Sequence, residues 1–357
     1  MIWNTSKENR MEKSSKIFVS GHNGLVGSAL VKNLIQKGFT NIITRTRSEL
    51  DLTNTTDVAL FFETEKPDYV FLAAAKVGGI IANNVYRADF IYENLMIQNN
   101  VIHQSYVHGV KKLLFLGSTC IYPKNCPQPM KEEYLLTDEL EYTNEPYAIA
   151  KIAGIKMCES YNIQYNTNFI SVMPTNLYGP NDNFNLEKSH VLPALLRKVH
   201  LAKLLSEDNI EALLLDLKVN TIEEANVILN QYKISKNSVE IWGSGTPMRE
   251  FLWSEDMADA CVFIMENRDF MDCYTNPSNI KNTHINIGTG KDISIKDLAY
   301  LIKDIVGYKG DFVFNTEKPD GTLKKLTDCG KLNNLGWKHK MELADGIEKM
   351  YQWYLNN

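Results

Sequence analysis

The sequence predicts an α/β protein: a doubly wound parallel sheet with helices on both faces, followed by a smaller, mostly helical C-terminal domain. Three observations carry that prediction. Short β-rich runs alternate with helical segments from Lys16 onward, a glycine turn joins the first run to the first helix, and a Tyr-x-x-x-Lys pair follows the fourth such unit. Strands alternating with helices imply right-handed crossovers and a parallel sheet. The ligand of such a sheet sits beyond the carboxyl ends of its strands.

Taken in order, residues 1–15 are polar and read as a disordered leader, with Met11 just before the first strand. Ile17-Phe-Val-Ser20 is that strand, Gly21-His-Asn-Gly24-Leu-Val-Gly27 the turn, and Ser28 to Gln36 an amphipathic helix. Ile42-Ile-Thr44, Tyr69-Val-Phe-Leu72 and Leu113-Leu-Phe-Leu116 repeat the strand theme. In the turn, Gly21, Gly24 and Gly27 permit a tight bend and close approach of the backbone to a pyrophosphate, while the helix start at Leu25 and Val26 offers free N–H groups. A dinucleotide is therefore expected in a Rossmann domain. After the second strand, where an acid would take the ribose 2′-hydroxyl of NAD, the chain has Thr44-Arg45-Thr-Arg47. Two cations suit a 2′-phosphate, so the expected cofactor is NADP(H), the alternative being a solvated basic face. Asp51 and Leu52, just beyond, are placed against the adenine.

Composition sets the outer limits. The chain has 357 residues, 38 basic against 43 acidic, and a formal net charge of −5, which gives no broad basic footprint for nucleic acid. No apolar run approaches the roughly 18 residues of a membrane helix, and the expectation is a soluble cytoplasmic protein without membrane contact. Six cysteines stand far apart with no Cys-x-x-Cys, so neither a disulfide framework nor a metal site is expected.

The chemistry is concentrated in Ser118-Thr-Cys120, Tyr147-Ala-Ile-Ala-Lys151 and Ser189-His190. Tyr147 and Lys151 are four apart and share a helix face. With 17 tyrosines and 38 basic residues, roughly two such pairs arise by chance; the position after a fourth βα unit, with Ser118 at the preceding strand end, is what makes this one informative. A hydride arriving at a carbonyl carbon leaves charge on oxygen, which needs a proton donor and hydrogen-bond support. Tyr147 is assigned as the acid, Lys151 as the ammonium that lowers its pKa and contacts the cofactor ribose, and Ser118 as a donor to the ketone oxygen. Cys120 taken alone reads as a core thiol, and His190 as a surface or capping histidine.

These motifs resemble the extended short-chain dehydrogenase/reductase superfamily and, more narrowly, the GDP-L-fucose synthase family. The narrower likeness rests on Ala73-Ala74-Ala-Lys-Val-Gly-Gly-Ile80, Gly117-Ser-Thr-Cys-Ile-Tyr-Pro-Lys124, Asn144-Glu-Pro-Tyr-Ala-Ile-Ala-Lys-Ile-Ala-Gly154, Met173-Pro-Thr-Asn-Leu-Tyr-Gly-Pro180 and Trp242-Gly-Ser-Gly-Thr-Pro-Met-Arg-Glu-Phe251. The resemblance implies NADPH-dependent reduction of the C4 ketone of a GDP-4-keto-6-deoxy sugar with C3/C5 epimerisation, by a homodimer. It brings Cys120 and His190 into the site as the epimerising pair, a thiol and an imidazole that move protons on carbons flanking the ketone. It further implies Ala73 and Ala74 at the cofactor, Asn176 and Val191 near the sugar nucleotide, Arg197 or Lys198 near the phosphates, Trp242 against the base, and Arg249 and Lys318 on the phosphates.

The expected plan is a cofactor domain over residues 16–177, rejoined by about 254–290, and a substrate domain over 178–253 and 291–357. Two departures stand out. Asn23 occupies a turn position where the family commonly has arginine. About 30 extra residues, at about 201–235, carry apolar spacing that predicts two amphipathic helices over 201–216 and 221–229. Such an insertion beside His190 suits a different 4-keto sugar, including a heptose. Reduction without epimerisation and an NAD-retaining nucleotide-sugar 4-epimerase are the enzymatic alternatives. A non-catalytic dinucleotide sensor is the third, disfavoured by the presence of both Tyr147 and Lys151.

Overall fold

The computed structural model describes residues 11–318 and 320–357. The first half builds β1 (Ile17–Ser20), α1 (Leu25–Gln36), β2 (Ile42–Ile43), α2 (Thr55–Glu65), β3 (Tyr69–Leu72), α3 (Ile80–Val85), α4 (Arg87–Val107), β4 (Lys112–Leu116), α5 (Glu145–Tyr165) and β5 (Phe169–Pro174). After it come β6 (Asn176–Tyr178), α6 (Val191–Ser206), α7 (Ile210–Leu217), α8 (Ile222–Gln231), β7 (Ser238–Trp242), β8 (Met248–Trp253) and α9 (Ser254–Asn267). The chain ends with β9 (Ile285–Ile287), β10 (Asp292–Ser294), α10 (Ile295–Val306), β11 (Asp311–Asn315), β12 (Lys324–Lys325), α11 (Gly330–Asn334) and α12 (Leu343–Leu355).

Six strands form one parallel sheet in the order β2-β1-β3-β4-β5-β9. Successive side chains of a strand point to opposite faces, and the two cores follow that alternation. Ile17, Val19, Phe71, Leu114, Leu116 and Val172 pack on one face with residues of α1 and α9. Phe18, Val70, Leu72, Leu113, Phe115 and Phe169 pack on the other with residues of α2, α4 and α5. These strands are buried on both faces, which is why they read as unbroken apolar runs. A third core gathers α6, α7, α8, α10 and α12 around Leu196, Val199, Leu213, Leu229, Ile302 and Ile347. Beside it lie a small sheet of β10-β8-β12, with β6 also paired to β8, and the parallel pair β7 and β11.

The leader expected over residues 1–15 falls outside the described residues as far as residue 10. From Met11 the expectation is corrected: Met11 is 4% exposed, packed in the core with Leu34 and Phe39. Thr40 N donates to Lys13 O at 2.9 Å. An apolar side chain covering the α1 end of the sheet fixes this segment.

The insertion also differs from expectation. Leu201–Ser206 is the last part of α6, and the predicted first helix breaks at Asp208, which takes a left-handed φ of 53°. Asn209 then caps α7 by accepting from Ala212 N, and a Thr221–Glu224 capping box starts α8. The insertion is tied down by charge. Arg197 Nε donates to Asp216 Oδ1 at 2.9 Å, Arg197 Nη2 donates to Asp216 O at 2.8 Å, and the Tyr354 hydroxyl donates to the same carboxylate. The two charged side chains are only 18% and 12% exposed, so losing one partner strands the other in a poorly solvated site. Asp216→Ala is expected to lower stability by about 3 kcal/mol, read as a fall in the urea midpoint. An Arg197→Met/Asp216→Leu double variant should recover part of that loss, and a midpoint unchanged in Asp216→Ala would refute the anchoring role.

Candidate active site

The glycine turn is shaped partly by the fold and partly for something outside it. Gly21 has φ of +79°, and a Cβ there would lie 2.8 Å from Ala74 N. A Cβ on Gly27 would lie 2.1 Å from Gly21 O, so both positions need glycine for packing alone. On Gly24 a Cβ would meet nothing of the protein closer than 3.4 Å, which leaves room for a ligand to approach the backbone. The α1 N-terminus, at Leu25 and Val26, has no side-chain cap and no acid in its first turn. Free N–H groups and the positive end of the helix dipole therefore face the turn. Ala73 and Ala74 close its other side, with Ala74 N 3.5 Å from Ser20 Oγ. A dinucleotide pyrophosphate fits this cradle.

Beyond β2, Arg45 and Arg47 behave differently. Arg45 Nη2 lies 2.5 Å from Glu65 Oε1, whereas Arg47 is 74% exposed at its side chain and 3.6 Å from Glu93. Asp51 Oδ1 accepts from Thr53 N and Oγ1, which holds its carboxyl below the usual range, and Leu52 O accepts from Asn100 Nδ2.

At the end of β4, Ser118 heads a single 3₁₀ turn over Thr119–Ile121, its Oγ accepting from Cys120 N at 3.4 Å. Tyr147 and Lys151 stand one turn apart on α5. Among the described residues the Tyr147 hydroxyl has no hydrogen-bond partner, and the ring packs edge-on against Phe90 at 6.3 Å. Lys151 Nζ donates to Leu116 O at 2.8 Å and sits 4.9 Å from the Phe115 ring centroid. The expectation that Lys151 lowers the Tyr147 pKa is corrected. Burial pushes the phenol up, with Cys120 adding to the rise, while the ammonium, 5.7 Å from the Tyr147 ring centroid, spends its hydrogen bond on the Leu116 carbonyl. Burial in turn brings Lys151 down to about 8.

Cys120 is 8% exposed, and burial raises its thiol pKa, opposed by the Ser118 hydroxyl and by the charges of Lys325 and Lys151. His190 is the residue immediately before α6. Its surface is open to water although protein surrounds it, as in a cleft wall, and burial lowers its imidazole pKa. Both groups are neutral near pH 7: one can give a proton and the other can accept one. Gly79 N donates to Lys188 O at 3.1 Å, which joins the loop before His190 to the loop after β3.

The residues expected at the sugar nucleotide divide into two sets. Asn176 donates to Glu250 O at 2.8 Å, Val191 opens α6, and Arg249 lies on β8 with Nη1 on the Met248 and Thr322 carbonyls. Trp242 is 51% exposed at the end of β7, with Lys318 Nζ 5.3 Å from its ring centroid. Arg197 is not available to a phosphate, since Asp216 and the carbonyl of Phe184 occupy its guanidinium. Of the expected pair Lys198 is left, its Nζ donating to Glu240 O at 3.3 Å and lying 6.0 Å from the ring of Tyr232, which follows α8 of the insertion. Sequence reasoning passed over Lys325. It pairs in register with Arg249, while its neighbour Lys324 turns out to Asp292. Alternation along a two-residue strand was the one available signal, and a Lys-Lys pair ordinarily reads as surface.

The model of the NAD dependent epimerase/dehydratase family matches residues 17–288. The chain is 54% identical over 347 residues to putative GDP-L-fucose synthase 2 of Arabidopsis thaliana, covering 97% of this chain and 94% of that one. Among solved structures, a GDP-6-OMe-4-keto-L-xylo-heptose reductase from C. jejuni is 56% identical with a TM-score of 0.94, covering 97% and 99% of the two chains. A GDP-mannoheptose C4 reductase from Campylobacter jejuni with NADP bound is 56% identical with a TM-score of 0.87, at the same coverage.

The environment of Cys120 makes a measurable forecast. A buried, protonated thiol is a weak nucleophile, so iodoacetamide should alkylate Cys120 more slowly than an exposed thiol. Lys325→Met removes one of the charges that favour thiolate and should slow it further, by roughly threefold or more at pH 8. Peptide mass spectrometry over a pH series reads both, and equal rates with and without Lys325 would show that its charge does not act on the thiol.

Proposed function

The chain belongs to the NAD dependent epimerase/dehydratase family, and on that premise we propose that it is an NADPH-dependent reductase of the C4 ketone of a GDP-linked 4-keto sugar, with C3/C5 epimerisation. The observation that carries the reading is the grouping of Ser118 and Tyr147, both half-buried, with the buried ammonium of Lys151 at the carboxyl end of β4. NADPH, when bound, supplies the hydride. It would be held by the glycine turn, by Ala73 and Ala74, and by the cations after β2.

The protein's own groups do the rest. Tyr147 stays protonated across the working pH range, because burial pushes its pKa up, and so delivers the proton to the C4 oxygen as charge develops there. Ser118 donates a second hydrogen bond to that oxygen, and the Lys151 charge stabilises it. For the epimerisation, neutral His190 accepts a proton from a carbon beside the ketone and the Cys120 thiol returns one. Arg249, Lys325 and Lys198 supply positive charge for the diphosphate, and exposed Trp242 offers a face to the base.

A seven-carbon sugar is the proposed substrate, supported by the Campylobacter heptose reductases at 56% identity and by the insertion, whose Tyr232 lies beside Lys198. A six-carbon 6-deoxy sugar is the competing one, supported by the Arabidopsis relative. Reduction without epimerisation is a second reading, favoured because the names of both Campylobacter enzymes mention reduction only. We further propose a cytoplasmic homodimer joined across α4 and α5, where Tyr92, Ile149 and Ile163 are exposed. Among the described residues no helix is long and apolar enough to cross a membrane.

The test of the reading is NADPH consumption with GDP-4-keto heptose and GDP-4-keto-6-deoxy-hexose substrates, and no oxidation with any of them would sink it. Run in D2O, epimerisation puts deuterium at C3 or C5 of the product and reduction alone does not. Tyr147→Phe should cut kcat by about a hundredfold or more, with the fold intact by circular dichroism. The pH profile of reduction should be flat below pH 8. Lysine with a lowered pKa loses its charge as pH rises through about 8, so kcat/KM should fall above it, and Lys151→Arg should move that limb upward.

A further inference from the structure

The two arginines after β2 are not equivalent, and a carboxylate on α2 makes them so. Arg45 follows the carboxyl end of β2, where the 2′-phosphate of a dinucleotide would lie. Its side chain nevertheless turns back along α2. The guanidinium sits 5.6 Å from the Phe61 ring centroid, and Nη2 reaches Glu65 Oε1 at 2.5 Å. Glu65 is the last residue of α2, and both its Oε2, at 3.2 Å, and its carbonyl, at 2.6 Å, hold Lys16 Nζ. Lys16 precedes β1, so this cluster lies toward the amino ends of the strands, away from the cofactor end. Arg45 Nη1 is also used, donating to Thr44 O at 2.8 Å. Ring, carboxylate and carbonyl thus fix Arg45 in a position that does not serve a 2′-phosphate.

Arg47 is the opposite case. It is 74% exposed, and its contact with Glu93 Oε2 is a long 3.6 Å, while Lys76 Nζ holds the other oxygen of that carboxylate at 2.5 Å. The glycine turn offers no help, since Asn23 carries no charge. We infer that Glu65 sets the selectivity between the phosphorylated and unphosphorylated dinucleotide by latching Arg45 away from the 2′-phosphate, leaving Arg47 as the cation that binds it.

The inference rests on the NADPH reading above and deepens it. Turning Arg45 toward the phosphate requires breaking its pair with Glu65, a partly exposed pair whose strength corresponds to a few-fold in affinity. Glu65→Gln removes that restraint without removing the side chain, and leaves two cations rather than one able to meet the phosphate.

The experiment is calorimetric binding of 2′,5′-ADP and 5′-AMP, which differ only in the group at issue, and needs no turnover. Wild-type protein should prefer 2′,5′-ADP. Glu65→Gln should widen that preference by roughly threefold or more, and adding Arg45→Met to it should cancel the gain. In the wild-type background Arg47→Met should lower 2′,5′-ADP affinity more than Arg45→Met does. An unchanged or narrowed preference in Glu65→Gln overturns the inference. So does an Arg45→Met loss equal to or greater than that of Arg47→Met, a comparison that stands even where Glu65→Gln folds poorly. Equal binding of the two nucleotides by wild-type protein would be a failure of the NADPH reading itself, whereas a wild-type preference with an unresponsive Glu65→Gln removes only the role of Glu65.

Discussion

The close packing of α5 on β4 is the constraint from which the site follows. Gly154 makes it possible: a Cβ there would lie 2.4 Å from Phe115 Cζ, so any other residue would lift the helix off the strand. Seated that closely, α5 places Lys151 Nζ on the Leu116 carbonyl and beside the Phe115 ring, and Gln98 of α4 donates to Ala150 O from the other side at 2.6 Å. A buried ammonium with one carbonyl and the Phe115 and Tyr147 rings for partners is incompletely solvated, which is the reason its pKa comes down to about 8. The same seating presents Tyr147, one turn earlier, beside the strand end that carries Ser118. Proton donor, hydrogen-bond donor and charge are thus positioned by one helix-to-strand contact, which is the preorganisation that charge stabilisation in a low-dielectric site requires.

The second domain meets that site with a set of cations whose membership is decided by pairing. Arg197 has a sequence position as suitable as that of Lys198, yet Asp216, contributed by the insertion, consumes it. Arg249 and Lys325 stand side by side across the β8–β12 pair, and burial lowers the pKa of both. Two adjacent, poorly solvated cations are unfavourable in the free protein, and the diphosphate of the proposed substrate would relieve that cost. The insertion therefore acts on the substrate domain in two ways, removing one cation from the pocket and placing Tyr232 against another. His200, on α6 with a hydrogen bond to Tyr351 at 3.0 Å, ties the same helix to α12. The helix that His190 precedes is consequently held by contacts from both the insertion and the C-terminus.

What could be read from the sequence was local. β1, β3 and β4 were visible because strands buried on both faces are short apolar runs. The grouping of Ser118 with Tyr147 was legible from the strand-and-helix order, since both lie at one end of the sheet. What was not legible depended on partners distant in sequence. Nothing around Arg45 announces Glu65, 20 residues on; nothing around Arg197 announces Asp216, and Lys325 looks like surface until Arg249 is set across from it. Met11 was lost to the polar residues around it, although one apolar side chain at the edge of a core is enough to order a segment. The break at Asp208 escaped because apolar spacing runs on through it, while a left-handed residue and an Asn209 cap start a new helix axis.

The two proton-handling sets in the pocket are not independent, and their charges say how they must be used. Burial is the main cause of the raised Tyr147 phenol pKa and of the lowered Lys151 and Lys325 ammonium values, with Cys120 adding to the first and partly opposing the other two, while both ammonium groups favour its thiolate. A negative charge on sulfur and one on the phenol would therefore compete for the same two cations in a site with little water to separate them. Returning a proton from Cys120 leaves a thiolate, which holds Lys151 and Lys325 in their charged forms but makes Tyr147 a weaker acid. On the proposed reading, reprotonation of the thiol before Tyr147 gives its proton to the C4 oxygen avoids that competition. Reduction destroys the ketone that makes the neighbouring carbons acidic, so epimerisation can only precede it. On the proposed reading one order follows: the negative charge lies first on the enolate, passes to the sulfur as Cys120 returns a proton, and after the thiol is reprotonated develops on the oxygen that becomes the alcohol.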